Sequence, residues 1–275
     1  MTKILITHPG KLGDLIYSLG AIKALSETKN KKITVLTSTY CQSAYQLLLA
    51  QEYIEAVKID FNYKPIHEHR GYQPHSLSLL EGDYDVFELG YREKDDYDLH
   101  NQHLKGYAFY VLEKFYGLTL SDKSSISITV PFDQEASSES YFVFQGLGET
   151  LDVIFGPKKV TEAMIHWAAV IKSSGEKIVV LTGPRETQRY RSLGFETLTS
   201  LDLLSSAQIL KNAKGVIASQ SVLAAIANEM QLPRLILNVF KNAVPTGRYG
   251  AQIPLLDQSL ESAEFLVKWM KGGAM

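Results

Sequence analysis

The sequence predicts an α/β protein made of two Rossmann-like halves with parallel sheets and a ligand cleft between them. Three observations predict it. Short apolar runs alternate with segments of helical periodicity along almost the whole chain. The alternation breaks once, over a Ser- and Asp-rich stretch at 121–140 that contains Pro131, and then restarts. The glycine- and hydroxyl-bearing turns fall where strands give way to helices, the edge at which open α/β sheets bind ligands. Strands joined through helices run parallel, because each crossover needs a covering element.

Residues 3–7 (KILIT) form the opening strand, and Leu15, Leu19, Ile22 and Leu25 recur at helical spacing after it. Residues 33–36 read as a second strand, 41–50 as a helix and 54–59 as a third strand. The polar, aromatic stretch 60–82 carries Pro65 and Pro74 and is too long for an ordinary connection, so it reads as a ligand-facing or mobile insertion. A fourth strand is expected at 83–90, a solvated charged loop at 91–100 and a Tyr- and Phe-rich helix at 102–116. After the break, strands are expected at 141–145, 177–182, 215–219 and 234–239. Helix faces are marked by Met164, Trp167, Ala168 and Ile171, by the stretch 203–210, and by Val222, Ile226 and Met230. The expected domains are 1–135 and 136–258, with a last amphipathic helix in 259–275 packing back toward the first half.

Composition narrows the function classes. Hydrophobic residues make up 45% and charged residues 21% of the 275, which suffices for ordinary cores. A formal net charge of −2 argues against a nucleic-acid partner. The single cysteine, Cys41, excludes an internal disulfide and any CxxC metal pair. No signal peptide opens the sequence and no apolar run is long enough to span a bilayer, so a cytoplasmic location is expected.

Three turns could carry chemistry. His8-Pro9-Gly10-Lys11-Leu12-Gly13-Asp14 joins the first strand to the first helix. Its glycines let the backbone turn and approach a ligand, and the helix start offers N–H groups to an anion. Asp14 is placed either to cap that helix or to face the cleft. Thr182-Gly183-Pro184-Arg185 and Ala218-Ser219-Gln220-Ser221 stand at the ends of later strands, as phosphate or ribose contacts or as plain turns. Gln145 and Gly146 follow the first strand of the second half, but Leu151 occupies the third-glycine place of a dinucleotide fingerprint, and no P-loop is present. His67, Glu68, His69, His75, His100 and His103 lack supporting cysteines or an HExxH, so no metal site and no cofactor are expected. No G-x-S-x-G elbow occurs.

In this order the three turns resemble the heptosyltransferases of glycosyltransferase family 9. The likeness runs through ILITHPGKLGDLIYSLGAIKAL (4–25), KIVVLTGPRET (177–187), LDLLSSAQILKNAKGVIASQS (201–221) and LILNVFKNAVPTGRYG (235–250). The resemblance implies a GT-B-like fold and inverting sugar transfer from a nucleotide-sugar to a glycan or lipid-linked acceptor, with peripheral membrane association compatible with it. It implies Asp14 as general base and Lys11 near the donor phosphates. The turns at strand ends then place the donor against Gly13, Gln145, Gly146, Thr182, Gly183, Gln220, Ser221, Lys241 and Asn242. Tyr63, Tyr72, Tyr107 and Tyr110 could stack on an acceptor sugar, with core packing as the alternative for the helical pair. Where the family's donor turn reads Asp-Ser-Gly-Pro-x-His, this chain has Gln220-Ser221-Val222-Leu223-Ala224-Ala225. An amide hydrogen-bonds there without a carboxylate's charge. Two other readings follow from that departure: a non-catalytic nucleotide-sugar-binding or partner protein, and another nucleotide-sugar enzyme such as an epimerase or hydrolase.

Overall fold

The computed structural model describes residues 2–63, 75–77, 80–90, 104–120, 126–131, 140–145, 156–199, 201–238 and 250–272. Contacts divide the chain into two compact units, Met1–Pro131 with Asp202–Leu204, and Phe132–Leu201 with Ser205–Met275.

In the first unit the order is β1 (Lys3–His8), α1 (Leu12–Lys29), β2 (Ile33–Ser38), α2 (Tyr45–Leu49), β3 (Ile54–Asp60), β4 (Tyr84–Glu88) and α3 (Leu104–Tyr116). The strands form one parallel sheet in the order β3-β2-β1-β4. Central parallel strands are covered on both faces, and β2 is buried at every position. Helix α1 buries Leu15, Leu19, Ile22 and Leu25. It ends at Asn30, whose φ of 49° lies in the left-handed region that Asn tolerates better than most residues. The Asn30 and Lys31 N–H groups bond back to Glu27 and Ser26, which closes the last turn as a Schellman motif. The helix expected at 41–50 starts as a 3-10 segment, Thr39–Ala44, and only α2 is α-helical.

The second unit contains β5 (Phe142–Gln145), α4 (Pro157–Ser173), β6 (Ile178–Thr182), α5 (Pro184–Ser192), β7 (Glu196–Thr199), α6 (Leu203–Lys211), β8 (Gly215–Ser219), α7 (Val222–Glu229), β9 (Arg234–Asn238), β10 (Gly250–Pro254) and α8 (Leu260–Met270). Six parallel strands lie in the order β10-β9-β8-β5-β6-β7. Both edge strands, β7 and β10, went unread in the sequence. An edge strand needs only one partner and few apolar residues, and β10 accommodates Pro254 because it closes an edge strand.

Trp167 is fully buried in this unit's core among Phe144, Met164, Ile217 and Leu235, and its indole N–H donates to the Leu255 carbonyl at 2.8 Å. Leu266 and Met270 of α8 belong to the same core, and Trp269 packs on Phe142. Leu266 and Met270 are the buried residues of this helix. At the amino-terminal edge of this sheet, buried Arg234 donates to Asn228 Oδ1 at 2.7 Å and to the Leu232 carbonyl at 3.1 Å, and the Asn228 amide donates to Glu229. The architecture is two α/β units, each built on one parallel sheet. Among the described residues, no helix is long and apolar enough to cross a membrane.

Candidate functional site

Each sheet reverses its strand order at one place. In the first unit the chain runs outward from β1 through β2 to β3, then returns to lay β4 on the other side of β1. In the second it runs from β5 through β6 to β7, then places β8 on the other side of β5. Loops leaving the carboxyl ends of strands at such a reversal diverge and leave a crevice, where α/β proteins bind ligands. The turn after β1 and, in the second unit, the carboxyl ends of β5 and β8 therefore occupy the two places that topology favours for a site.

The turn after β1 is tightly determined. Asp14 is the third residue of α1, and its Oδ2 accepts the Lys11 backbone N–H at 3.0 Å. A carboxylate in the first helical turn also answers the positive end of the helix dipole. Gly10 donates its N–H to His8 Nδ1 at 3.2 Å. The opposite ring nitrogen, Nε2, therefore bears the proton and donates to Ser18 Oγ at 3.1 Å, and the Ser18 hydroxyl donates to the Asp14 carbonyl at 2.8 Å. Burial first, and the neighbouring His75 charge second, lower the His8 pKa to about 3, so this histidine is neutral. A Cβ at Gly10 would lie 2.8 Å from His8 Cε1 and 2.9 Å from Asp14 Oδ2, whereas one at Gly13 would meet nothing within 4 Å. Cys41 sits beneath the turn with Sγ 3.7 Å from the Gly10 carbonyl, and burial pushes its thiol up to about 11, which makes it an inert packing group.

Three groups come to this turn from the far side of the sheet. His75 places Nε2 3.1 Å from the His8 carbonyl oxygen and Nδ1 3.2 Å from Asp60 Oδ2. Tyr63 stacks on the His75 ring with centroids 3.7 Å apart. Burial, and then the Asp60 charge, push the Tyr63 phenol up to about 12. Asp60 was not legible as a site residue, His8 was legible only as the first residue of its turn, and His75 only as one of several histidines. The usable signal was that a histidine in a folded loop needs partners for two ring nitrogens.

In the second unit, Gln145, Thr182, Gly183, Gln220 and Ser221 gather at the carboxyl ends of three adjacent strands, β8, β5 and β6. Ser221 is the N-cap of α7: its oxygen accepts the Ala224 N–H at 3.4 Å, and its hydroxyl donates to the Gln145 amide oxygen. Gly183 caps α5, with Pro184 in its first turn, and a Cβ at Gly183 would meet nothing within 4 Å. The Thr182 hydroxyl donates to Glu186 at 3.4 Å. The edge therefore offers amide and hydroxyl groups together with two helix N-termini, which suit a phosphate or ribose, with the Glu186 carboxylate beside Thr182.

Two of the tyrosines expected to stack on an acceptor are placed otherwise. Tyr107 is 4% exposed and donates its hydroxyl to the Gly90 carbonyl at 3.2 Å, so its ring belongs to the core. Tyr63 is buried with one face against His75. Tyr110 is half-buried, with the Lys114 ammonium 5.2 Å from its ring centroid. Tyr72, Gly146, Lys241 and Asn242 lie outside the described residues. Among the described residues, no group of three or more His, Cys, Asp or Glu side chains could hold a metal ion.

The fold has solved counterparts. A glycosyl transferase family 9 protein of Veillonella parvula superposes with a TM-score of 0.68 at 15% identity, over 97% of both chains. The E. coli heptosyltransferase WaaC, solved with ADP and with ADP-2-deoxy-2-fluoro heptose, gives 0.68 and 0.66 at 16% identity, over 99% of this chain and 100% of that one. The E. coli ADP-heptose lps heptosyltransferase II gives 0.62 at 12% identity, over 98% of both. The fold is that of the family 9 glycosyltransferases. The sequence matches no family model and no curated protein. Among the described residues, the turn after β1 and the turns around β5 and β8 are where this fold offers strand ends to a ligand.

Proposed function

We propose that the protein is a glycosyltransferase that moves a sugar from a nucleoside-diphosphate sugar to a hydroxyl of a glycan or lipid-linked acceptor in the cytoplasm. The observation that carries this reading is the position of Asp14. A carboxylate stands at the reversal point of the first sheet, and an edge of amide and hydroxyl groups stands at the reversal point of the second, on the fold of enzymes solved with ADP and an ADP-sugar.

The proposed chemistry is a single displacement. Asp14 takes the proton from the acceptor hydroxyl as its oxygen attacks the anomeric carbon, and the bond from that carbon to the diphosphate oxygen breaks. The configuration at the anomeric carbon inverts, and a nucleoside diphosphate leaves. A positioned base of this kind contributes roughly 10²–10⁴-fold. The N–H groups at the starts of α5 and α7 answer the charge that develops on the diphosphate. Gln145, Thr182 and Ser221 orient the donor by hydrogen bonds, with Lys11 and Gly13 beside its phosphates and Gln220 against the ribose or base. Tyr110 is the half-exposed aromatic ring available to an acceptor sugar.

One observation favours a second reading. Val222, Leu223, Ala224 and Ala225 begin α7 without a charged side chain, and all but Val222 are buried, so the turn contributes hydrogen bonds but no acid or base. A nucleotide-sugar-binding protein without turnover has the same turn. Thermal shift against ADP-, UDP-, GDP- and CMP-sugars tests the binding that both readings share. A ligand for the native state raises the melting temperature with the logarithm of its concentration. One nucleotide class is expected to do so, and silence from all four would overturn both readings.

A further inference from the structure

Among the buried titratable side chains of the first unit, His8, Asp60 and His75 take no part in the proposed transfer. They form one continuous chain of contacts. Strands β3 and β1 are separated by β2, and His75 spans them at their carboxyl ends, with Nδ1 on Asp60 and Nε2 on the His8 carbonyl. A carbonyl oxygen only accepts, so Nε2 carries a proton. Asp60 Oδ1 already accepts the Asn62 N–H at 3.0 Å, and its Oδ2, buried against the ring, requires a donor as well. Both demands are met when His75 is protonated on both nitrogens, as an imidazolium beside a carboxylate. The Tyr63 ring, stacked at an interplanar angle of 22°, offers the π face that a cation favours.

The far end of the chain is Asp14. The His8 carbonyl, which also accepts from Thr37 Oγ1 at 3.4 Å, fixes the end of β1. The His8 ring holds Gly10 on one nitrogen and reaches Asp14 through Ser18 on the other. No slack exists between them, because Gly10 lacks room for a methyl group between His8 and the Asp14 carboxylate.

We propose that His75 is a positioning residue: held as an imidazolium between Asp60 and the His8 carbonyl, it fixes the end of β1 and so sets where the Asp14 carboxylate stands. The inference rests on the reading of Asp14 as the base. Nitrogen-15 NMR of the wild-type protein at neutral pH is expected to show protons on both His75 ring nitrogens, and a singly protonated ring would overturn the proposal. His75→Phe keeps the ring against Tyr63 and removes both bonds. Its Lys11 amide resonance, which reports the bond to Asp14, is expected to move, and kcat is expected to fall about 100-fold with donor affinity retained. Asp60→Asn removes the carboxylate that calls for the second ring proton, so its Lys11 amide is expected to move in the same direction and kcat to fall, by less than in His75→Phe, with donor affinity retained. A Lys11 amide and kcat unchanged in His75→Phe would overturn the proposal, as would equal loss of kcat and donor affinity in both variants. Should His75→Phe not fold, ring protonation in the wild type and the Lys11 amide in Asp60→Asn decide. A wild-type protein that transfers no sugar would instead refute the reading of Asp14 as base, while the two NMR signals still test the strut.

Discussion

The hydroxyl of Ser221 donates to the amide oxygen of Gln145, tying the end of β5 to the first turn of α7 across the reversal point of the second sheet. With its oxygen held, Gln145 keeps its NH2 group as donor, and Ser221 at the same time caps α7. Ser221→Ala removes both functions. Loss of the cap is expected to cost about 1 kcal/mol in denaturant unfolding. Nucleotide-sugar affinity, measured by calorimetry, is expected to fall about tenfold, equivalent to about 1.4 kcal/mol. Stability loss without any loss of affinity would reduce this pair to a helix cap.

Stability and function are expected to part company at two neighbouring glycines. At Gly10 a methyl group would collide with His8 and Asp14, so Gly10→Ala should destabilise by about 1–3 kcal/mol and impair turnover. At Gly13, inside α1, the space is open, and Ala is a better helix former by roughly 0.5–1 kcal/mol. Gly13→Ala should therefore hold or raise the melting temperature while weakening donor binding, because the open space is where the ligand's phosphates are proposed to approach. A Gly13→Ala protein with unaltered donor affinity would remove that approach.

Acid should weaken the fold through His8. Its folded pKa of about 3 lies below the 6.5 of an unperturbed histidine. As pH falls through this window the unfolded chain binds a proton that the native protein refuses. Native stability therefore declines toward low pH, by at most about 1.4 kcal/mol per pH unit from this group. His8→Asn keeps an acceptor for the Gly10 N–H and abolishes the titration. Urea unfolding between pH 6.5 and pH 4 should show a slope shallower by one proton in the variant. Identical slopes would show that His8 is protonated in the native state.

The legible and illegible parts of the molecule differ for physical reasons. Strands β1, β2, β8 and β9 lie inside their sheets and are buried nearly throughout, so they appear as continuous apolar runs. Edge strands β7 and β10 hide among polar residues because one partner and a few buried side chains suffice. Helix α5, PRETQRYRS, has almost no apolar face, and its helicity comes from Pro184 in the first turn and from Tyr190, which joins the hydrophobic core. The turn holding Asp14 was readable because glycine and aspartate at a strand–helix junction have few uses. The His75–Asp60 contact was not, since it joins two side chains through an insertion whose spacing says nothing about its path. Tyr107 shares a buried helix face with Val111, and that four-residue spacing was the signal for packing over ligand contact.

The central claim is that Asp14 takes a proton during sugar transfer, and Asp14→Asn tests it most directly. The amide oxygen can still accept the Lys11 N–H, so stability and nucleotide-sugar affinity should change by about 1 kcal/mol or less. With the donor identified by thermal shift, release of nucleoside diphosphate with acceptor present should fall by roughly 10²-fold or more in the variant, because an amide cannot take the proton. Wild-type turnover in a correctly folded Asp14→Asn protein would contradict the account.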